Sequence, residues 1–131
     1  MKAAYLTQTG SPDVIEFGEI EDPSPGPGEI LIRNKAVSVN PIDTYVRSGI
    51  VAFDLPNPFI PGCDAAGVVE GVGEGVDSFS VGDRVWCTNQ GLLGRQGTFA
   101  ERIAVSTDWC FPLFDETDFA TAAANALVGI T

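Results

Sequence analysis

Asn40, Asp43 and Tyr45 fall within the six-residue run Asn-Pro-Ile-Asp-Thr-Tyr, and Cys63 and Asp64 are adjacent further on. Two chemistries are open to such groups. A thiolate and a carboxylate can hold a metal. However, a catalytic zinc needs three protein ligands, commonly thiolate and imidazole, and the chain has no histidine. Cys63 with Asp64 or Asp43 is therefore an incomplete donor set, and no metal is expected. The other chemistry needs no metal. A phenol hydroxyl and an amide N–H can both donate to an oxygen that gains negative charge during a reaction. Tyr45 and Asn40 are the candidates. A phenol of ordinary pKa, about 10, needs tuning or a relay to deliver a proton at neutral pH. Each residue also has a structural reading. Asn40 can cap a strand end, and Tyr45 can pack on the sheet. Asp43 suits the cap of a short helix. Asp64 suits a buried acid held by an arginine or by backbone amides.

The run Gly71-Val72-Gly73-Glu74-Gly75 looks like a phosphate-binding loop but lacks its context. A dinucleotide fingerprint runs from strand through glycine turn to helix, whereas the residues from Val76 lead through a turn to another strand. A hairpin turn is the expectation.

These groups must be held by a small β-rich scaffold. Residues 2–8 and 13–20 read as strands around the turn Gly10-Ser11-Pro12. The stretch 21–29 is a proline-rich surface connector. Residues 29–39 alternate, with Ile30 and Ile32 and then Val37 and Val39 apolar, and read as a long half-buried strand. Asn40 and Pro41 end it. A short helix is expected over 43–48, closed by Gly49. Residues 50–61 form an irregular loop with three prolines. Further strands are expected at 64–72, 83–88, 98–105 and about 109–113. Gly67 and Gly71 mark close backbone approach or a bulge. Only the alanine-rich stretch from about 118 reads as a convincing helix, with Thr117 or Asp118 as its N-cap. Seven short strands linked through Gly/Pro turns define a mainly β fold, an antiparallel and partly open barrel.

Composition narrows the function classes. The 131 residues carry a net charge of −11 with seven basic residues spread singly. That excludes the clustered positive charge that nucleic-acid binding requires. No apolar run is long enough for a membrane span, and the N-terminus does not read as a secretory signal. Three scattered cysteines fit buried free thiols in a reducing cytoplasm better than a disulfide framework.

Four segments occur in one family's order and spacing: VNPIDTYVRSG (39–49), PFIPGCDAAGVVEGVG (58–73), FSVGDRVW (79–86) and GTFAERIAV (97–105). Together they resemble the N-terminal, GroES-like catalytic domain of the medium-chain dehydrogenase/reductase superfamily. The branch with the greatest resemblance is the zinc-free, NADPH-dependent quinone oxidoreductases. In the zinc-dependent relatives, the position of Asn40 is a cysteine ligand and that of Cys63 a histidine ligand.

The resemblance implies hydride transfer from NADPH to a quinone or similar electron-poor acceptor. It places Tyr45 and Asn40 in catalysis, and Tyr45, Phe53 and Cys63 against the substrate, with Phe53 as an apolar wall for a planar quinone. It places Asn40, Pro41, Ile42 and Thr131 against the cofactor. It further implies that residues 1–117 are the GroES-like domain and that 118–131 begin the crossover to a Rossmann domain. On that reading the chain is an N-terminal fragment, inactive alone, whose parent dimerises through the missing domain. A zinc-free enone or enoyl reductase shares the scaffold, and a co-chaperonin-like binding module is the non-enzymatic alternative.

Overall fold

The computed structural model describes residues 1–130. Seven strands and two helices follow the order β1 (Lys2–Tyr5), β2 (Glu16–Glu19), β3 (Glu29–Ser38), α1 (Pro41–Ser48), β4 (Asp64–Val72), β5 (Arg84–Cys87), β6 (Arg102–Ser106), β7 (Cys110–Pro112) and α2 (Phe119–Ile130). Every strand pair is antiparallel. β1 and β2 form a small ribbon, and the other five make a curled sheet ordered β6-β3-β4-β5-β7. The ribbon is tied on by backbone bonds from Ala4 to Phe99 and, in both directions, between Leu6 and Phe59, each 2.8 Å. Among the described residues no helix is long and apolar enough to cross a membrane.

Alternation explains the core. Ile30 and Ile32 of β3, Ala65 and Val69 of β4, Val85 and Cys87 of β5, and Ile103 and Val105 of β6 all point inward and are buried. The period holds along β3, as a half-buried strand requires, and puts Val37 and Val39 on the face opposite to Ile30 and Ile32. Both are exposed. With Phe17 and Phe99 they line a broad, shallow apolar depression of about 540 Å³.

The hairpin reading of 71–75 holds, since β4 and β5 pair antiparallel and no helix follows the glycines. The β3–β4 register slips between Leu31 and Ile32 and between Asn34 and Ala36, beside the partners Gly71 and Gly67. At Gly67 a Cβ would collide with the backbone carbonyl of Arg33, so only glycine allows the two strands to approach there.

Several elements are shorter than the alternation implies. β1 stops at Tyr5, a 3₁₀ turn (Pro12–Val14) precedes β2, and β6 begins only at Arg102. Residues 98–101 instead bond irregularly to the 60–62 segment and to β1, through Thr98 to Gly62, Phe99 to Pro61 and Glu101 to Lys2.

α1 begins at Pro41, two residues before the expected start, because proline is pre-organised for the first helical position and needs no donor there. Asp43 closes a capping box by accepting the Asn40 backbone N–H at 2.7 Å. Gly49 ends the helix in the left-handed region, φ 83°. α2 is capped by Asp118, whose Oδ1 accepts from the Thr121 amide at 2.7 Å. Its Ala122 and Ala123 pack on Ala66 of β4, with Trp86 and Phe119 beside them. The small side chains let the helix lie close to the sheet.

Candidate active site

Asn40 ends β3, caps α1 and is buried. Its side-chain Nδ2 donates to Asp64 Oδ2 at 2.9 Å. Asp64, the first residue of β4, faces Ser38 across the β3–β4 register and is 1% exposed. Its other oxygen, Oδ1, accepts from Thr88 Oγ1 at 2.7 Å, just past the end of β5. Oδ2 also accepts from the Leu127 backbone amide of α2 at 3.1 Å. The Ser38 hydroxyl lies 3.3 Å from Oδ2 and 2.8 Å from the Ala123 carbonyl. Its one hydrogen favours the shorter contact. Of the two partners expected for the buried Asp64, the backbone amide is found at Leu127 and the arginine is replaced by the side chains of Asn40 and Thr88.

Asp43 lies on the same side. Burial, reinforced by the charge of Asp64, pushes its carboxyl up to about 6, against the pull of the Asn40 and Cys63 backbone N–H groups. Cys63 is fully buried beside the turn that holds Asn89 and Gln90. Burial first, then the charges of Asp64 and Asp43, pushes its thiol up to about 12. Asn89 sits at a left-handed φ of 59°, which asparagine tolerates better than most residues. Arg95 fixes that turn by donating twice to the Asn89 carbonyl, at 3.0 and 2.7 Å.

The other expected residues disperse. Tyr45 lies on α1 and is 46% exposed. Pro41 and Ile42 form the first turn of α1, and the Ile42 side chain packs against the Leu6, Val46 and Phe59 cluster. Phe53 packs on that cluster too and lines a separate cavity of about 240 Å³ with Leu55, Pro56 and Thr9. Neither Asn40, Tyr45 nor Cys63 borders it. Thr131 lies outside the described residues. Sequence reasoning missed Ser38, Thr88 and the Leu127 amide. Only the strand register and the seat of α2 bring them to Asp64.

A zinc does not fit this donor set. The Asn40 amide is committed to Asp64, the Cys63 thiol is held protonated, and imidazole is lacking. Among the described residues no group of three or more metal-binding side chains converges. The start of α1 and the end of α2, the two stretches that the resemblance puts against the cofactor, converge on Asp64.

The curled antiparallel sheet with one capped helix and a C-terminal helix is a GroES-like architecture. The model of the alcohol dehydrogenase GroES-like domain matches residues 26–115, and the chain belongs to that family, within the medium-chain dehydrogenase/reductase superfamily. A quinone oxidoreductase of Pseudomonas aeruginosa is 39% identical over 132 residues, covering 98% of this chain and 37% of that protein. A 2-haloacrylate reductase of a Burkholderia species is 46% identical over 95 residues, covering 70% of this chain and 28% of the relative. The crystal structure of Escherichia coli quinone oxidoreductase complexed with NADPH superposes with a TM-score of 0.91 at 32% identity, covering 99% of this chain and 38% of that one. The chain thus spans a little over a third of the length of such relatives.

Proposed function

We propose that this chain is the substrate-side domain of an oxidoreductase that passes hydride from NADPH to a quinone or a similar electron-poor acceptor without zinc. The observation that carries this reading is the Asn40–Asp64 pair. A buried amide locked to a carboxylate occupies the place where zinc-dependent relatives carry a thiolate ligand. The cofactor, held mainly by residues beyond this domain, supplies the hydride.

The residues of this chain bind and orient. Asn40 has a second amide hydrogen beyond the one given to Asp64, available to the cofactor or to the acceptor oxygen. The half-exposed Tyr45 hydroxyl donates to the oxygen that gains charge as hydride arrives. Pro41 and Ile42 offer the first turn of α1 to the nicotinamide, and the same resemblance assigns Thr131 to the cofactor. Cys63 contributes only as a buried wall, because its thiol stays protonated. Residues 118–131 lead into the cofactor domain, and dimerisation through that domain follows the same reading.

A second reading is favoured by the Burkholderia relative, whose name is that of a reductase of a conjugated alkene. On that reading the acceptor is an enone or enoyl compound and the same donors serve its carbonyl. The test is NADPH oxidation by the whole gene product against a panel of small quinones and acyclic α,β-unsaturated carbonyls. Turnover with quinones supports the first reading. Turnover confined to the alkenes replaces it with the second, and turnover with neither overturns both.

A further inference from the structure

Asp64 does more than fill a buried polar position. It is bonded to the end of α1 through Asn40 Nδ2 at 2.9 Å and to the last turns of α2 through the Leu127 amide at 3.1 Å, both on Oδ2. Thr88 Oγ1 holds Oδ1 at 2.7 Å, so the carboxylate cannot rotate toward one partner without losing another. Ser38, the register partner of Asp64, reaches the Ala123 carbonyl at 2.8 Å. Ala123 and Leu127 stand four apart, the carbonyl and amide that a regular α-helix pairs with each other, so the Leu127 N–H given to Asp64 competes with that helical bond and Ser38 supplies a donor to the Ala123 carbonyl. The Ser38 and Asp64 side chains therefore grip the same turn of α2 from both ends, at its carbonyl and at its amide.

We propose that Asp64 is a positioning residue. It locks the last turns of α2 to the Asn40 end of α1, so that the two stretches facing the nicotinamide share one anchor. The catalytic part of this inference rests on the proposed oxidoreductase function; the anchoring does not. An ionised carboxylate only accepts, so it fixes which end of the Asn40 amide faces it. A flip would set the Asn40 carbonyl oxygen against Asp64. The same carboxylate also fixes the height of α2 over the sheet, because the Leu127 amide comes from the helix backbone and has no side-chain freedom. Loosening either partner should be felt by the other, although Asn40 and Leu127 lie 87 positions apart (127 − 40).

Amide hydrogen exchange on the 131-residue chain tests the anchor. Asn40→Ala should speed exchange at Leu127 about tenfold or more, the scale of a lost bond to a charged group. Amides of Ile32 and Val69 in the sheet should remain the slower set, speeding by no more than the global stability lost in denaturation. In an Asp64→Asn background, Asn40→Ala should change Leu127 exchange less than about twofold, because the coupling passes through the carboxylate. Unchanged Leu127 exchange in Asn40→Ala, or an equal increase in both backgrounds, overturns the proposal. Should Asp64→Asn not fold, Ser38→Ala serves instead. It must speed Leu127 exchange and move the Asn40 side-chain amide signals, and failure to do both overturns the anchor.

In the whole gene product, Asp64→Asn should lower kcat about tenfold to a hundredfold with the acceptor KM within about twofold, as misplacement rather than lost binding requires. A raised KM with unchanged kcat contradicts the positioning role. Absence of NADPH oxidation by the unmodified protein would overturn the functional reading alone and leave the exchange result to decide the anchor.

Discussion

The Nδ2 of Asn40 and the Oδ2 of Asp64 lie 2.9 Å apart in a buried position, 24 residues apart in sequence. That bond makes Asn40 a structural partner of a carboxylate as well as a candidate donor to a ligand. Asn40→Ala should destabilise the chain by about 1–3 kcal/mol, since it leaves a buried carboxylate short of one donor. Asn40→Asp should cost more, because it sets a second negative charge against the first. Urea denaturation of the two variants checks the order; equal or reversed costs would contradict the pairing.

Asp43 gives the domain a pH signature. Its carboxyl is raised from 3.8 to about 6 in the folded state. The native state therefore holds this proton more tightly than the unfolded chain. The stabilisation is complete below pH about 4 and is lost as pH rises through about 6. The loss should be on the order of 2 kcal/mol, after allowance for partial solvent access. Denaturation midpoints of Asp43→Asn and of the unmodified chain, compared at about pH 4 and about pH 7, should show a smaller drop in the variant. An equal drop in both would place the titration elsewhere.

All three cysteines are free and buried, with Cys63 and Cys110 pushed up to about 12 and Cys87 well above its ordinary value by burial. Thiols held so high are poor nucleophiles and poor metal ligands. A thiol-specific reagent near neutral pH should label none of them in the folded chain within the time that labels all three in denaturant. Rapid stoichiometric labelling of Cys63 in the folded state would contradict this. So would stoichiometric zinc binding by calorimetry.

Gly67→Ala should be severe. The new Cβ meets the Arg33 carbonyl, so β3 and β4 must separate, at about 2–4 kcal/mol or outright failure to fold. Gly75→Ala meets nothing within 4 Å and carries only the left-handed backbone penalty, about 1 kcal/mol. Thermal denaturation of the two variants should separate them clearly.

The scaffold was legible because it is local. Ile30 with Ile32, the glycine turn at 71–75 and the alanine run of α2 each announce themselves within a few residues. Gly67 was legible as a close approach, although not which carbonyl it meets. The half-buried character of β3 was legible too, since the odd positions of Val37 and Val39 oppose the even Ile30 and Ile32 and leave them exposed. The polar site was legible only at Asn40 and Asp64. Their partners Ser38, Thr88 and Leu127 are ordinary residues whose meeting depends on register and on where α2 docks. Phe53 belongs to a different cavity for the same reason, because the 50–61 loop folds onto Leu6 and Phe59 rather than toward Asn40.

The central claim is metal-free hydride transfer by the protein that carries this domain. The most direct measurement is NADPH consumption by the whole gene product with a small benzoquinone, before and after exhaustive treatment with a zinc chelator. Quinone-dependent oxidation that the chelator leaves unchanged is the expected result. Activity abolished by the chelator and restored by added zinc would contradict it.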